Sequence, residues 1–167
     1  MELVEGIAEA GGDRFPDVEA FVERLGAVAD EHDATVQAFD ARYAVSRGHL
    51  ERAVELADRE RARGDGIARE RSVEILLYAA GRRQINRALE MGVGAGETPT
   101  VVLVDGGEEA AAAAQLEDLL TPAETLGAYD ERRVREFFDV GEAELAATDA
   151  DLKALVEERV ALLVVER

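Results

Sequence analysis

Residues 72–91 read SVEILLYAAGRRQINRALEM. Ser72 to Ala80 form an apolar run that suits a buried strand or a buried helix, and periodicity alone does not choose between them. Gly81 breaks the run. Arg82 to Met91 resumes at helical spacing, with Ile85, Ala88 and Leu89 as the inward set. Two helices meeting at a sharp corner on Gly81 is the preferred reading. It leaves the strands to the flanking segments and predicts a mixed chain.

Downstream, Gly92, Gly94 and Gly96 form a link into Thr100–Asp105 (TVVLVD), the best strand pattern in the chain, β-branched and apolar on both faces. Gly106-Gly107 turns the chain into an alanine-rich helix, Glu108 to Leu120. Thr121-Pro122-Ala123-Glu124 has the capping-box pattern of a further helix start. Arg132–Val140 and Glu142–Ala147 read as short helices. Thr148 to Asp151 opens a last segment in which Leu152, Leu155, Val156 and Leu163 keep helical spacing. Its tail, Ala161–Val165, also suits a terminal strand. Upstream, Gly64-Asp65-Gly66 stops a helix over Arg47–Arg63, with Leu50, Ala53, Val54 and Ala57 on one face. Thr35–Phe39 alternates as a strand after a turn at Glu31-His32-Asp33. Phe15-Pro16-Asp17 opens a helix whose Val18, Phe21, Val22, Leu25 and Val28 recur at helical spacing, and Leu3–Ala8 is a short strand. The fold class expected is α/β (α+β): one domain over 1–167, with a small, mostly antiparallel or mixed sheet and flanking helices.

Composition narrows the chemistry. The chain has 167 residues, 37 acids against 19 bases and a net charge of -18. Eighteen of the bases are arginine, and Lys153 is the sole lysine. That bias resembles proteins of salt-loving organisms, a halophilic archaeon being the expected source, where carboxylates keep the surface hydrated while salt screens their repulsion. Without cysteine there is no disulfide, thiolate metal site or cysteine nucleophile. His32 and His49 alone cannot make a His-rich metal site. No apolar run reaches the ~18 residues needed to span a bilayer, and the N-terminus lacks a signal-peptide pattern. A soluble, cytoplasmic chain with no membrane contact is expected.

Few motifs point to a reaction. The glycines of GVGAGETPT (92–100) lie between a helix and a strand, whereas a phosphate loop runs from strand into helix. Acids such as Glu51, Glu55, Asp58, Glu157 and Glu158 fall on polar faces and read as solvated surface. Neither a catalytic residue, a metal ligand set nor a cofactor is nominated. Charge distribution says more. From Arg42 to Arg87 there are 11 arginines and 7 acids, while the rest of the chain holds 8 bases and 30 acids. In so acidic a chain, the positive sector is where a polyanion would bind. The other reading is local pairing, as between Glu55 and Arg59.

The segment Glu74–Leu89 (EILLYAAGRRQINRAL) resembles the signature of one family. This is the small kinase-binding subunit of the KEOPS complex, related to the human p53-related-kinase-binding protein. The strand TVQAFDA with its following Gly48-His49-Leu50 helix, the strand TVVLVD and the ending ERVALLVVE agree with it. The resemblance implies a single α/β domain without catalytic activity of its own. It implies two partners, the kinase-like ATPase subunit of KEOPS and the 3′ CCA end of tRNA. It also implies a role in tRNA processing, in the tRNA modification that places N6-threonylcarbamoyladenosine at position 37.

On that reading, the Gly81 corner presents Arg82, Arg83 and Gln84 to a single-stranded CCA end. Gln84 offers both a donor and an acceptor to a base edge. Tyr78 would stack and Ile75 line the pocket wall, unless both are ordinary core. Arg69, Arg71 and Arg87 would meet phosphates. Leu152, Leu155 and Val156 on the last helix, or the 47–63 helix, would supply the kinase-binding face. Two other readings stay open: a protein-only adaptor or regulator without RNA contact, and a small enzyme whose carboxylate site leaves no mark in the sequence.

Overall fold

A computed structural model describes residues 1–147 and 151–165. Four strands form an antiparallel sheet in the order β2-β3-β1-β4: β1 (Glu2–Ala10), β2 (Thr35–Asp40), β3 (Gly96–Asp105) and β4 (Thr121–Pro122). The central strand β3 explains why its sequence is apolar throughout. Val102 and Val104 point to one face and Val101 and Leu103 to the other, and all four are fully buried. Each face carries its own helical layer.

The first layer holds α1 (Val18–His32) and α5 (Glu109–Glu117), packed through Phe21, Leu25, Val28 and Leu116 onto Val4, Val36 and Val102. Asp17 caps α1 by accepting a hydrogen bond from the Ala20 amide at 2.8 Å. Pro16 therefore sits just outside the helix. The expected turn at Glu31-His32-Asp33 tightens to one residue: α1 runs through His32 and ends on Asp33 at φ 51°.

The second layer holds α2 (Arg47–Ala62), α3 (Arg71–Ala80), α6 (Glu131–Phe137) and α8 (Leu152–Val165), gathered around Phe39, Val101 and Leu103. The 72–80 run is a helix, as preferred. It is apolar because it lies between the sheet, α2 and α8, and every residue from Glu74 to Ala80 is buried. Two shorter helices complete the described residues, α4 (Ile85–Ala88), prolonged by a tight turn over Leu89–Met91, and α7 (Glu142–Ala147).

Several expectations need correction. Thr121-Pro122 starts no helix; it pairs with Gly6 and Ile7 as strand β4. That crossing is possible because residue 6 is glycine, where a Cβ would fall 2.7 Å from the Thr121 carbonyl oxygen. The tail Ala161–Val165 is no strand but the last turns of α8, with Leu163 in the core. The helix after the corner starts at Ile85, not Arg82, and is turned from the expected face. Ala88 and Met91 enter the core, while Ile85 and Leu89 stand 49% and 58% exposed. Of the segment expected to open the last helix, Thr148 to Ala150 lie outside the described residues. Asp151 accepts a hydrogen bond from the Ala154 amide at 2.9 Å and so caps α8.

The β3–α5 turn is the tightest contact between the two halves of the first layer. Gly107 has φ 58°, and a Cβ there would lie 2.1 Å from the Asp33 carbonyl oxygen. Gly107→Ala is expected to cost roughly 2–4 kcal/mol in a denaturant melt. A variant as stable as the parent would show that the turn relaxes freely.

Candidate nucleic-acid interface

The corner begins with the end of α3. Gly81 is left-handed at φ 63°, its amide donating to the Tyr78 carbonyl and the Arg82 amide to the Leu77 carbonyl at 3.0 Å. This double bond is the glycine-terminated helix end. Space imposes glycine as well. A Cβ at position 81 would sit 3.3 Å from the Arg159 carbonyl oxygen on α8.

His49 fixes the same helix end from the other side. The Val45 amide donates to its Nδ1 at 3.3 Å, so the ring hydrogen is on Nε2, which donates to the Ala79 carbonyl at 2.7 Å. The Ala79 carbonyl is one of the last four of α3, which have no partner within the helix. Burial pushes the imidazole down to about 4 from the ordinary 6.5, so it is neutral at pH 7. Sequence reasoning gave His49 no role; the signal available was a lone histidine on the inward face of α2, beside Leu50.

Beyond Gly81 the chain is held by Arg82. Its guanidinium donates to the Phe137 carbonyl and lies 5.2 Å from the centre of the Phe137 ring. Arg159 braces the neighbouring turn, donating to the Phe138 carbonyl at 3.1 Å and pairing with Glu144 at 2.7 Å. On this support sits a shallow groove of about 260 Å³ lined by Gly81, Arg82, Arg83, Gln84, Arg87 and Leu163. No acid lines it. Arg83, Gln84 and Arg87 are exposed. Among the described residues, the side chains of Arg83 and Gln84 have no hydrogen-bond or ion-pair partner, and Arg87 approaches only Glu90, at 4.0 Å.

Other expected contact residues lie elsewhere. Ile75 and Tyr78 are 0% and 2% exposed and belong to the core around α3, so neither meets a ligand at the corner. Arg71 is bound up in a network, donating to both Asp58 oxygens at 2.8 Å and to Asp105 at 2.6 Å. Those bonds, Asp58 first, raise its pKa above the usual arginine value. It is not free for a phosphate. Arg69 is exposed, but it precedes α3 and so lies about 15 Å of helix away from Gly81. Leu152, Leu155 and Val156 are buried, which removes them as a docking face. The inward face of α2 is likewise spent on the core.

One acid departs from the surface expected of carboxylates here. Glu74 is fully buried, and its oxygens accept from the Ile67 amide at 2.9 Å and the Ala68 amide at 2.5 Å. Arg61 completes the clasp by donating to the Ala68 carbonyl at 2.9 Å. Glu74 therefore holds the loop between α2 and α3. Among the described residues no group of three or more His, Asp or Glu side chains could hold a metal ion. No described helix is long and apolar enough to cross a membrane.

The model of the kinase-binding protein CGI-121 family matches residues 17–163, nearly the whole chain. The chain belongs to this family. It is accordingly a kinase-binding, KEOPS-type subunit, as the resemblance of the 74–89 segment implied. Comparison with individual curated proteins gives no match. Within this CGI-121 chain, the conspicuous glycine of the segment is the close contact between α3 and α8. The histidine of Gly48-His49-Leu50 is the bond to the end of α3.

The His49 bond has a measurable consequence. The folded value lies below that of the unfolded chain, so the unfolded chain takes up the proton first. The stability contributed is complete above pH 6.5 and is lost as the pH falls toward about 4. The loss from this group is about 3 kcal/mol across that window. Denaturant melts at several pH values should show it, and His49→Gln should flatten that part of the profile. An unchanged profile in the variant would assign the slope to other groups.

Proposed function

We propose that this CGI-121 chain is the non-catalytic subunit of a KEOPS-type complex that binds the kinase-like ATPase and recruits tRNA through its 3′ CCA end. The complex it would serve makes N6-threonylcarbamoyladenosine at position 37, with the chemistry carried by other subunits. The observation that carries the RNA part is the Gly81 groove. In a chain with 37 acids, it gathers three arginines and a glutamine with no carboxylate among its lining residues.

The chemistry of a free RNA end suits this arrangement. Unpaired bases expose their edges and faces, which a duplex would hide. Gln84 can donate to and accept from one base edge, while Arg83 and Arg87 reach phosphates. With Tyr78 in the core, a planar surface for stacking comes from the guanidinium groups instead. Arg82 acts differently: its tie to Phe137 keeps the corner in place, so it is a positioning residue that lends part of its charge to the groove.

The absence of a reaction is supported by how this chain spends its buried titratable groups. Glu74 is occupied by backbone amides and His49 by Val45 and Ala79. Neither lines the corner groove.

In molar salt the Debye length shrinks to ~3 Å, so steering fades and short-range contacts must hold the RNA. Filter binding at high salt with intact tRNA and with tRNA lacking CCA tests the reading. Intact tRNA should bind more tightly, and Gln84→Ala and Arg83→Ala should each weaken it about tenfold, or about 1.4 kcal/mol. Both side chains are exposed and unpartnered, so the loss reads the contact rather than the fold. Equal binding of the two tRNAs, with both variants unaffected, would leave a protein-only adaptor.

A further inference from the structure

Four large hydrophobic side chains stand exposed among the described residues: Val22, Ile85, Leu89 and Val165. Three of them, Val22, Ile85 and Leu89, rim a single groove of about 400 Å³. Scattered surface hydrophobics need no explanation, but clustered ones mark interaction sites. Glu70 is the sole charged residue lining this groove, in a chain that is 34% charged.

The groove follows the open margin of the sheet. Its floor includes Val36 and Ala38 of β2, the outermost strand on that side. One wall is α1, and the other is α3 with the Ile85–Val93 stretch. Edge strands are commonly protected by lysine, proline or a bulge. The β2 sequence, TVQAFD, has no lysine or proline; Gln37 alone turns its side-chain amide onto the Ala38 carbonyl, at 2.9 Å. A long apolar channel beside a weakly guarded strand is a surface meant to be covered.

We infer that this groove is the seat of the kinase partner, an inference that rests on the family's kinase-binding character. A groove without a cation in its lining does not suit RNA. A second copy of this chain would set two bodies of net charge -18 against each other. A kinase surface offering aliphatic side chains on a helix or strand, with a basic residue placed to meet Glu70, fits both the shape and the charge. The position supports this too. Ile85 and Leu89 line the apolar groove, while Arg87, between them in sequence, lines the polar groove of the Gly81 corner. One short helical stretch thus serves both surfaces. A kinase bound on one side would lie next to a nucleic acid held on the other, as an adaptor between the two requires.

Titration calorimetry with the purified kinase subunit tests this. Val22→Asp and Leu89→Asp should each weaken binding at least thirtyfold, with Leu89→Ala intermediate. The double variant Arg83→Ala/Gln84→Ala should bind the kinase as the parent does. Circular dichroism and thermal melts confirm folding, which is expected because Val22 and Leu89 are 54% and 58% exposed. A parent chain that binds while both Asp variants match it would overturn the groove assignment alone. Variants that abolish self-association in sedimentation, yet leave kinase affinity untouched, would reassign the groove to a second copy. A parent chain that fails to bind the kinase would overturn the premise together with the groove.

Discussion

The approach of Gly81 to the backbone of α8 is the contact on which the rest of the second layer depends. It lets α3 end within van der Waals reach of Arg159 and Val160, and its left-handed turn throws Arg82 to Gln84 outward. Any side chain at position 81 would strain the backbone and push α8 away. His49 secures the same helix end through the Ala79 carbonyl, and Arg82 and Arg159 tie the turn to the Phe137–Phe138 carbonyls. Two buried residues and two arginines thus hold a short exposed segment rigid. A rigid segment loses little freedom when it binds, which leaves more of the contact energy for affinity.

Much of this was legible in the sequence, for physical reasons that differ by element. The strand TVVLVD was plain because β3 is covered on both faces and needs apolar side chains at every position. The break at Gly81 was plain because glycine after a long apolar run ends a helix. The rotation of the following helix was not. Ile85 and Leu89 look inward by hydrophobicity, yet Ala88 and Met91 take the core, and only the surroundings of α3 decide which face is buried. Thr121-Pro122 has the letters of a helix cap, but tertiary pairing with Gly6 overrides that local preference.

The candidate site divides the same way. Arg83, Gln84 and Arg87 could be singled out from spacing and charge, because an exposed turn after glycine presents whatever follows it. Ile75 and Tyr78 could not be separated from core by sequence, since burial is a property of the neighbours. Arg71 looked like a free cation until Asp58 and Asp105, distant in sequence, were found beside it. The apolar groove left its signal in β2, which carries neither lysine nor proline. That signal gains meaning only once β2 is known to lie at the margin of the sheet.

The arginine-bearing turn and the apolar channel lie on opposite sides of one helical stretch, and an adaptor between a kinase and an RNA needs that arrangement. The central claim is that the turn after Gly81 receives a single-stranded RNA end. Hydrogen–deuterium exchange of the chain, alone and saturated with tRNA, tests it most directly. Slowed exchange over residues 82–88 with CCA-ended tRNA, absent with tRNA trimmed of CCA, is the result predicted. Equal exchange at that turn in both states, with protection elsewhere or nowhere, would contradict it.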